Sequence, residues 1–467
     1  MANIRNQCSW VHGKKPEDAT KKAIDLVRMA VAKVALHQPL PEPSLEINQS
    51  ALIIGGGIAG MTAAKTLTDQ GYHTFIVERE QNIGGQARFL HETWQGEDIQ
   101  QNLAELIEST ETNDNIDIHL GATIKHVDGF VGNFKTTIQT EEKELILTHG
   151  ITIVATGALE LKPDAYLYRN DPRVMTGLEL DLKLIEKDRS IAEQKTAVFI
   201  QCVGSRIPER PYCSKVCCTH SLKNALKLKE LNPDMDVFIL YRDMRSYGFR
   251  EDLYRKARRQ GIHILRYDFE KGLDVSKENG NLQIEFTDSS IRRQMQIIPD
   301  LLVLATAIVP EKENPIAHLY KVTQNDDGFF MEAHVKLRPV DCATDGVFIC
   351  GLAHAPKPVD ESIAQAAAAA TRGITLLAKK TIQMSGTVAR TDPHNCSSCG
   401  VCVAICPFSA PLFTEKGPFA GKAEINPVLC KGCGLCVASC RSGAIHLNGF
   451  DNDQIFSQIL AMNETVS

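Results

Sequence analysis

Apolar and polar positions divide the chain into a long region of alternating strands and helices and a short C-terminal region without that pattern. Between residues 46 and 380, short apolar runs predict buried strands, and segments with helical spacing lie between them. Strands that alternate with helices imply parallel sheets, so we predict an α/β fold with two Rossmann-like domains. The predicted strands are Ala51–Ile54, Thr74–Glu78, Ala197–Gln201, Val237–Tyr241, Ile262–Arg266, Leu301–Thr306 and Gly346–Cys350.

The same pattern predicts the domain boundaries. We expect an N-terminal extension over 1–45, a discontinuous first domain over 46–158 and 306–380, a second domain over 159–305, a small Cys-rich α+β domain over 385–450, and a tail over 451–467. In the extension, apolar residues recur at helical spacing from Lys21 to Leu36, which predicts an amphipathic helix packed against the body. A linker with Pro39, Pro41 and Pro43 ends that helix.

A glycine motif connects the first predicted strand to the helix that begins near Ile58. Gly55 permits a tight turn, Gly57 lets the backbone approach a pyrophosphate, and Gly60 lets helix and strand pack closely. Glu78 ends the second strand, about 20 residues further on, where an acid binds the ribose hydroxyls. The complete context predicts a dinucleotide site rather than a structural glycine turn.

The second domain carries cysteines where a second glycine motif is expected. Its strand Thr196–Gln201 runs into Cys202 and a polar loop, which speaks against nicotinamide binding. Four thiols in a short stretch can supply one iron–sulfur cubane. Adjacent cysteines are unusual ligands, so Cys8 or a partner protein could supply one ligand in place of one of them. A second alternative is that these cysteines are buried, inert thiols that bind no metal. The candidate ligands are Cys202, Cys213, Cys217 and Cys218.

The C-terminal region repeats one cysteine spacing twice, and this spacing is that of bacterial two-cluster ferredoxins. In such proteins the fourth cysteine of each run ligates the other cluster. A structural zinc site is the weaker alternative, because zinc seldom uses two interlocked runs. We therefore predict one [4Fe–4S] cluster on Cys396, Cys399, Cys402 and Cys440, and another on Cys430, Cys433, Cys436 and Cys406.

Composition adds little beyond the cysteines. Net charge is −6, which gives no reason to expect nucleic acid. No apolar run reaches the roughly 18–20 residues of a membrane span, and the N-terminus has no apolar signal core, so we expect a cytoplasmic protein. Twelve of the fifteen cysteines fall in two clusters, and clustered cysteines in a reducing compartment indicate metal rather than disulfides. Cys342 and Cys350, outside the clusters, are predicted core residues.

The first domain resembles the flavoprotein family with two dinucleotide domains that includes thioredoxin reductase. The resemblance rests on the Gly-Gly loop after Glu78, on the Ala-Thr-Gly segment that ends a later strand, and on Gly351 before an Ala-rich helix that begins near Ser362. It implies FAD rather than NAD, while the family's redox-active Cys-x-x-Cys pair is absent. The implied FAD contacts are Gly55, Gly57, Gly60, Glu78, Gly85, Gln86, Thr156, Gly157, Gly351, Gln365 and Ala366.

Taken together, the segments resemble the A-type subunit of heterodisulfide reductase in a short form. The matching segments are Asn3–His12, Asp25–Lys33, the 202–218 cysteines, Tyr241–Phe249 and the ferredoxin domain. The resemblance implies an oxidoreductase component that passes electrons between FAD and [4Fe–4S] clusters, with bifurcation at the flavin in some complexes. It also implies partners: B- and C-type subunits, a hydrogenase- or dehydrogenase-type donor, and ferredoxin. In the family the heterodisulfide-cleaving site belongs to a different subunit, so no catalytic residue is assigned.

Two other functions stay open. Arg242 and Arg245 follow a second-domain strand and could hold a nucleotide phosphate, as in an NAD(P)H:ferredoxin-type oxidoreductase, although solvated charges or a partner contact fit them as well. A non-catalytic assembly or scaffold subunit is the third reading. Lys357 precedes the Ala-rich helix and is either a residue that tunes the flavin or an exposed lysine.

Overall fold

The computed structural model describes residues 1–40, 42, 44–383 and 386–463. Pro41 and Pro43 of the predicted linker, Ser385 at the predicted start of the Cys-rich domain, and residues 464–467 of the predicted tail lie outside the described residues. The chain forms two compact units: a larger one over Ile47–Lys380, and a smaller one that combines Met1–Glu46 with Thr381–Ser467. The exact domain boundaries given above stay a prediction.

Most helices lie in the region of alternating strands and helices or near the two ends of the chain. None of those in the described residues is long and apolar enough to cross a bilayer. They are α1 (Pro16–Ala35), α2 (Ile58–Thr68), α3 (Ile99–Glu111), α4 (Gly177–Ile185), α5 (Cys217–Leu231), α6 (Glu251–Arg259), α7 (Ile316–Leu319), α8 (Val359–Leu377), α9 (Val401–Ile405), α10 (Leu435–Ala438) and α11 (Asn452–Asn463).

Strands of the larger unit follow β1 of the smaller one. They are β1 (Ser44–Glu46), β2 (Ser50–Ile54), β3 (His73–Val77), β4 (Ile116–His119), β5 (Thr123–Phe130), β6 (Asn133–Gln139), β7 (Glu144–His149), β8 (Ile151–Val154), β9 (Leu159–Glu160), β10 (Val174–Thr176), β11 (Thr196–Val203), β12 (Asp236–Tyr241), β13 (His263–Arg266), β14 (Leu273–Glu278), β15 (Asn281–Asp288), β16 (Arg293–Ile297), β17 (Leu301–Thr306), β18 (Ile308–Val309) and β19 (Val347–Ile349). The smaller unit adds β20 (Thr381–Gln383), β21 (Ala389–Thr391), β22 (Pro411–Phe413), β23 (Ala423–Ile425) and β24 (Ile445–Leu447).

Two parallel five-stranded sheets organise the larger unit and confirm the predicted fold class. The first has the order β19-β8-β2-β3-β4, and β2 is buried along its whole length. The second has the order β10-β17-β11-β12-β13, with β11 and β17 buried at nearly every position. Central strands buried on both faces are typical of sheets covered by helices. The carboxyl ends of neighbouring strands in each sheet meet at one edge, where α/β proteins bind their ligands.

Two antiparallel three-stranded sheets were not predicted from the sequence. They are β5-β6-β7, inserted before β8, and β14-β15-β16, inserted before β17. Their strands carry polar residues on one face, as in the alternating burial of β6. Such strands have no continuous apolar run, so the pattern that predicts buried strands does not predict them.

The smaller unit consists of two similar halves and a helix pair. The antiparallel strand pairs β21–β24 and β22–β23 accompany the short helices α9 and α10. α1 packs against α11 within this unit. The sequence predicted that this helix packs against the body through its apolar stripe, but four residues of that stripe are exposed. Those residues are Ile24, Val27, Val31 and Val34, between 43% and 64% exposed.

Candidate functional site

The glycine loop after β2 requires glycine at two of its motif positions. Gly55 has φ +110°, and a Cβ there would lie 2.4 Å from the carbonyl oxygen of Ala155. A Cβ at Gly60 would lie 1.9 Å from the carbonyl oxygen of Gly55, which explains the close packing of α2 on β2. Gly57 is the N-cap of α2 and has no capping side chain. The loop therefore offers backbone N–H groups at a helix N-terminus, where a pyrophosphate binds.

Glu78 lies directly after β3 and faces this loop. Its Oε2 accepts a hydrogen bond from the backbone N–H of Gly56 at 2.6 Å, and its Oε1 accepts one from the N–H of Glu80 at 2.9 Å. The residue is 9% exposed, so both bonds are shielded from water. The carboxylate is thus held at the mouth of the loop, as a ribose-binding acid must be.

The predicted Gly-Gly loop rests on the first glycine loop. The N–H of Gly84 donates to the carbonyl of Gly56 at 2.8 Å, and a Cβ at Gly85 would lie 3.1 Å from the Cα of Gly57. Gly85 also has φ +53°. Gln86 is half-buried in the turn that follows. The two loops form one continuous backbone surface that only small residues permit.

The remaining predicted FAD contacts follow β8 and β19, which flank β2 in the same sheet. Thr156 and Gly157 come after β8, and Gly157 has φ +74°. Gly351 comes after β19, and a Cβ there would lie 2.9 Å from the Cβ of Ala59 in α2. Because parallel strands end at a common edge, these residues share the edge that carries Gly55 and Glu78.

The first turns of α8 contain a polar group without a protein partner. Gln365 Nε2 lies 2.8 Å from His354 Nδ1, while its Oε1 is buried and has no hydrogen-bond partner in the described residues. Such a group in a native site calls for a ligand or an ordered water. Gln365 therefore fits the contact that the resemblance implies. Ala366 is fully buried in the helix.

Lys357 precedes α8 and is not the exposed lysine that the sequence left open. Its Nζ donates to the backbone carbonyls of Gly351 and Ala355, both within hydrogen-bonding distance, the latter at 2.9 Å. Burial, together with the neighbouring Lys215, lowers its pKa to about 8. A half-buried cation thus lies beside a predicted flavin contact.

The four cysteines of the second domain come together at the carboxyl edge of the second sheet. Cys202 has φ +61° at a bulge where β11 shifts register against β17. Cys217 and Cys218 begin α5, and the thiol of Cys217 lies 3.8 Å from the carbonyl oxygen of Thr306. Cys213 and Cys202 are both within electrostatic range of these two thiols. A strained residue and a helix N-terminus thus converge on one group of sulfurs.

Burial dominates the chemistry of these thiols. Burial, together with neighbouring sulfurs, raises the pKa of Cys218 to about 11 and the pKa of Cys217 well above the usual value. Burial also raises the pKa of Cys202, although the guanidinium of Arg206 opposes this shift. Metal binding displaces the thiol protons. The positive charge of an iron–sulfur core would then offset the repulsion between neighbouring thiolates.

In the smaller unit, eight cysteines surround two cavities. One is lined by Cys396, Cys399, Cys402 and Cys440, and the other by Cys406, Cys430, Cys433 and Cys436. These are the two interleaved sets that the spacing predicts. Across the described residues, no three His, Cys, Asp or Glu side chains converge as closely as a single metal ion requires.

Backbone donors point at corresponding sulfurs in the two halves of this unit. The N–H of Ala423 donates to Cys396 Sγ at 3.4 Å, and the N–H of Ala389 donates to Cys430 Sγ at 3.3 Å. Gly400 and Gly434, with φ of 76° and 77°, are the N-caps of α9 and α10. The halves therefore repeat the same thiolate environment, and hydrogen bonds to sulfur are one means of setting a cluster's potential.

Two family models match this sequence, one in the larger unit and one in the smaller unit. The family described as "Pyridine nucleotide-disulphide oxidoreductase" matches residues 49–198, and "4Fe-4S dicluster domain" matches residues 395–444. The A-type subunit of the H(2):CoB-CoM heterodisulfide,ferredoxin reductase of Methanothermobacter marburgensis is 33% identical over all of this chain and 84% of its own length. This chain belongs to the family of heterodisulfide reductase A-type subunits. That alignment has 562 positions, more than the 467 residues of this chain, as expected for a short form of the family.

Other members of the family align in the same way. The iron-sulfur A-type subunit of the CoB--CoM heterodisulfide reductase of Methanocaldococcus jannaschii is 32% identical over 98% of this chain and 84% of its own length. Membership of this family makes the chain an FAD and [4Fe–4S] oxidoreductase component. A solved thioredoxin reductase from T. acidophilum is 12% identical over 70% of this chain and 97% of that chain, with a TM-score of 0.49.

Other cysteines of this family member have simpler surroundings. Cys342 and Cys350 are 1% and 0% exposed, which confirms the prediction of core residues. Cys8 is buried in a π-helical turn, Arg5–Ser9, of the smaller unit. Its part in the third cluster stays a prediction.

Two contacts that sequence reasoning missed join the domains of the larger unit. Lys215, between Cys213 and Cys217, forms an ion pair with Glu361 in the first turn of α8. Arg250 forms a 3.0 Å ion pair with Asp360 in the same turn. Lys215 lies between two of the clustered cysteines, which draws attention to it in the sequence. Its partner lies far along the chain, so no sequence pattern predicts the pair.

A buried carboxylate was missed for the same reason. Asp181 in α4 is fully buried and accepts hydrogen bonds from the N–H of His91, from Lys223 and from Asn224. His220 lies 3.0 Å from the same carboxylate. Burial raises the pKa of Asp181, but its contacts with His220 and Lys223 outweigh this and hold the pKa below its usual value. This group fixes α5, which carries two candidate ligands, against the loop that follows the flavin site.

Proposed function

We propose that the flavin of this protein exchanges single electrons with a third [4Fe–4S] cluster held by Cys202, Cys213, Cys217 and Cys218. The clusters of the smaller unit then relay electrons to or from partner proteins. Flavin supplies two-electron chemistry and the clusters supply one-electron transfer. Bifurcation sends one electron of the flavin's pair to a low-potential acceptor and the other to a high-potential acceptor, and we include it in the proposal with the third cluster as one of the two paths.

The ion pair between Lys215 and Glu361 is the observation that supports this proposal most directly. It connects the loop of the proposed third cluster to the first turn of α8, the helix proposed to cap the isoalloxazine. The pair, with Arg250 and Asp360, keeps the two proposed sites adjacent. Short separation is the first requirement for electron transfer between them.

The chain's own residues have distinct proposed roles. The loops around Gly55 and Gly85 bind the pyrophosphate, Glu78 binds the ribose, and Gln365 contacts the ring system. Lys357 holds a positive charge beside Gly351, where negative charge on a reduced flavin would be stabilised. Arg206 forms a hydrogen bond with the Cys202 thiol and favours its deprotonated form, which a metal ligand must adopt.

Partners are proposed from the names of relatives. The M. marburgensis protein is named for H2, CoB-CoM heterodisulfide and ferredoxin, and the Methanosarcina acetivorans relative for ferredoxin and F420H2. We propose that this protein works in the cytoplasm within a heterodisulfide-reductase-like complex, with B- and C-type subunits, a hydrogenase- or dehydrogenase-type donor, and ferredoxin. Affinity purification from the native host under anaerobic conditions tests this, and recovery of the chain alone at full cofactor content argues against it.

An iron determination tests the third cluster. Each cubane holds about four irons, so anaerobically reconstituted protein should contain about twelve per chain, and Cys213→Ala about eight. Retention of FAD and of the other clusters in this variant shows that the loss is local. About twelve irons in both proteins contradicts Cys213 as a ligand, and about eight in both contradicts the third cluster and assigns the iron to the smaller unit alone.

The NAD(P)H:ferredoxin oxidoreductase is the second candidate, and the surroundings of Arg242 weaken it. Its guanidinium lies 3.3 Å from the ring centroid of Phe269 and donates to the carbonyl of Arg206 at 2.9 Å. These contacts occupy the group that would bind a phosphate. Anaerobic titration with NADH and NADPH decides, because rapid bleaching of FAD would favour this second candidate. A scaffold role is contradicted if iron and FAD are present and redox-active.

A further inference from the structure

A basic and aromatic surface lies beside the cysteines of the proposed third cluster. It consists of Arg242, Arg245, Tyr247, Phe249 and Phe269, and we call it the Arg245–Phe249 surface. The first four follow β12 and the last follows β13, so all lie at the carboxyl edge of the second sheet, as Cys202 does. We propose that this surface docks an acidic one-electron carrier protein of the ferredoxin class. The inference rests on the proposed third cluster and names the partner of that site.

The surface is in direct contact with the proposed ligands. The backbone N–H of Arg245 donates to the Cys218 thiol, and the Cys218 Sγ lies 3.9 Å from the carbonyl oxygen of Asp243. On the other side, Arg242 donates to the carbonyl of Arg206, whose guanidinium contacts the Cys202 thiol. Only Arg245 would separate a carrier seated on this segment from the Cys218 sulfur, and Arg242 and Arg206 would separate it from the Cys202 sulfur.

The exposed side chains have the composition of an interaction site. Phe249 is 84% exposed, more than any other aromatic residue described, Tyr247 is 58% exposed and Phe269 is 49% exposed. Arg245 is also exposed. Aromatic residues and arginine are enriched at the energetic centres of interfaces, and exposed aromatic groups in a cluster are costly without a partner.

The charge of this edge selects an acidic partner. Loops 204–216 and 242–250 together contain six basic and two acidic residues, in a chain whose net charge is −6. Some of these charges are compensated internally, as Arg206 is by Asp243 and Arg250 by Asp360. The exposed Arg245 remains at the centre of the surface. Electrostatic complementarity of this kind raises association rates more than affinity, which suits a transient carrier.

Stopped-flow electron exchange tests the proposal in the full-length holoprotein. The probe is a purified acidic two-[4Fe–4S] ferredoxin, mixed anaerobically with the reduced protein at low and high salt. Arg245→Glu should lower the second-order rate about tenfold at low salt and abolish much of its salt dependence. Phe249→Ala should lower the rate at both salt concentrations, because it removes apolar contact. A Lys336→Glu/Leu337→Ala variant, altered at other exposed positions, should react like the parent protein.

Iron content and the EPR spectrum of the third cluster separate this proposal from the one on which it rests. If the parent protein lacks the third cluster, the proposed function fails at that step, and the docking proposal fails with it. If the cluster is intact and both variants exchange electrons at the parental rate, only the docking site is overturned. If Arg245→Glu disturbs the cluster, the electron-exchange rate of Phe249→Ala decides whether the surface docks a carrier, because removing this exposed ring loses no core contact. An altered NADPH titration with unchanged ferredoxin kinetics also overturns the proposal.

Discussion

The backbone N–H of Gly56 donates to the Glu78 carboxylate at 2.6 Å, across the loop where the pyrophosphate of FAD is expected. Hydrogen bonds to a charged group contribute about 1.5–3 kcal/mol. We therefore expect Glu78→Ala to weaken FAD binding about 10- to 100-fold, measured by fluorescence of released flavin during dilution. Glu80→Ala, at an exposed neighbouring acid, should bind FAD normally. Equal affinity for the Glu78 variant would remove this residue from the site.

The interleaved ligand sets of the smaller unit predict an unusual result for double variants. Cys396 and Cys440 line one cavity, and Cys406 lines the other. Cys396→Ala/Cys440→Ala should therefore lose only one cluster, about four irons, whereas Cys396→Ala/Cys406→Ala should lose both, about eight. Iron analysis with EPR measures this. If each cysteine run held its own cluster, the two double variants would give the opposite result, so the pair of variants is its own control.

Lys357 predicts a change in flavin potential. Lys357→Met removes a half-buried positive charge, so reduced flavin is less stabilised and its midpoint potential should fall. A loss of about 1.4 kcal/mol corresponds to about 30 mV for a two-electron couple. Because the pKa of Lys357 is lowered to about 8, the wild-type charge is present below that pH and lost above it. The difference between parent and variant should then shrink as pH rises through 8.

Spectroelectrochemical titration at pH 7 and pH 9 measures this difference. Lys336→Met, at an exposed lysine, is the matched control and should leave the potential unchanged at both values. A Lys357 variant with the parental potential at pH 7 would show that the charge does not act on the flavin.

Whether the sequence predicted a residue's role depended on how far along the chain its interaction partners lie. Gly55, Gly60 and the cysteine runs act through neighbours a few residues away, so spacing alone indicates their roles. Lys357 was ambiguous because its burial depends on carbonyls that only the folded loop brings to it. The pair Lys215 and Glu361 was missed because no local pattern connects residues so far apart. In the same way, the apolar stripe of α1 predicted a buried face but not which neighbours would cover it.

His149 predicts how the larger unit responds to acid. Its imidazole is fully buried, lies 2.8 Å from the carbonyl oxygen of Ile151 and 2.9 Å from Thr136 Oγ1, and burial lowers its pKa to about 4. Between that pH and the unfolded value of 6.5, the unfolded state binds more protons than the folded state. The free energy of unfolding should therefore fall as pH drops through this range, by up to about 3 kcal/mol at its lower end.

Urea unfolding at pH 7.5 and pH 5, followed by flavin release, separates this contribution from general acid effects. His149→Gln removes the titrating group and lowers stability at pH 7.5, because a packed hydrogen-bonded ring is lost, but its stability should depend less on pH than that of the parent. His126→Gln, at an exposed histidine paired with Asp128, should keep the parental pH dependence. If His149→Gln and the parent lose the same free energy between the two pH values, the folded and unfolded states bind protons at His149 equally, and burial does not lower its pKa.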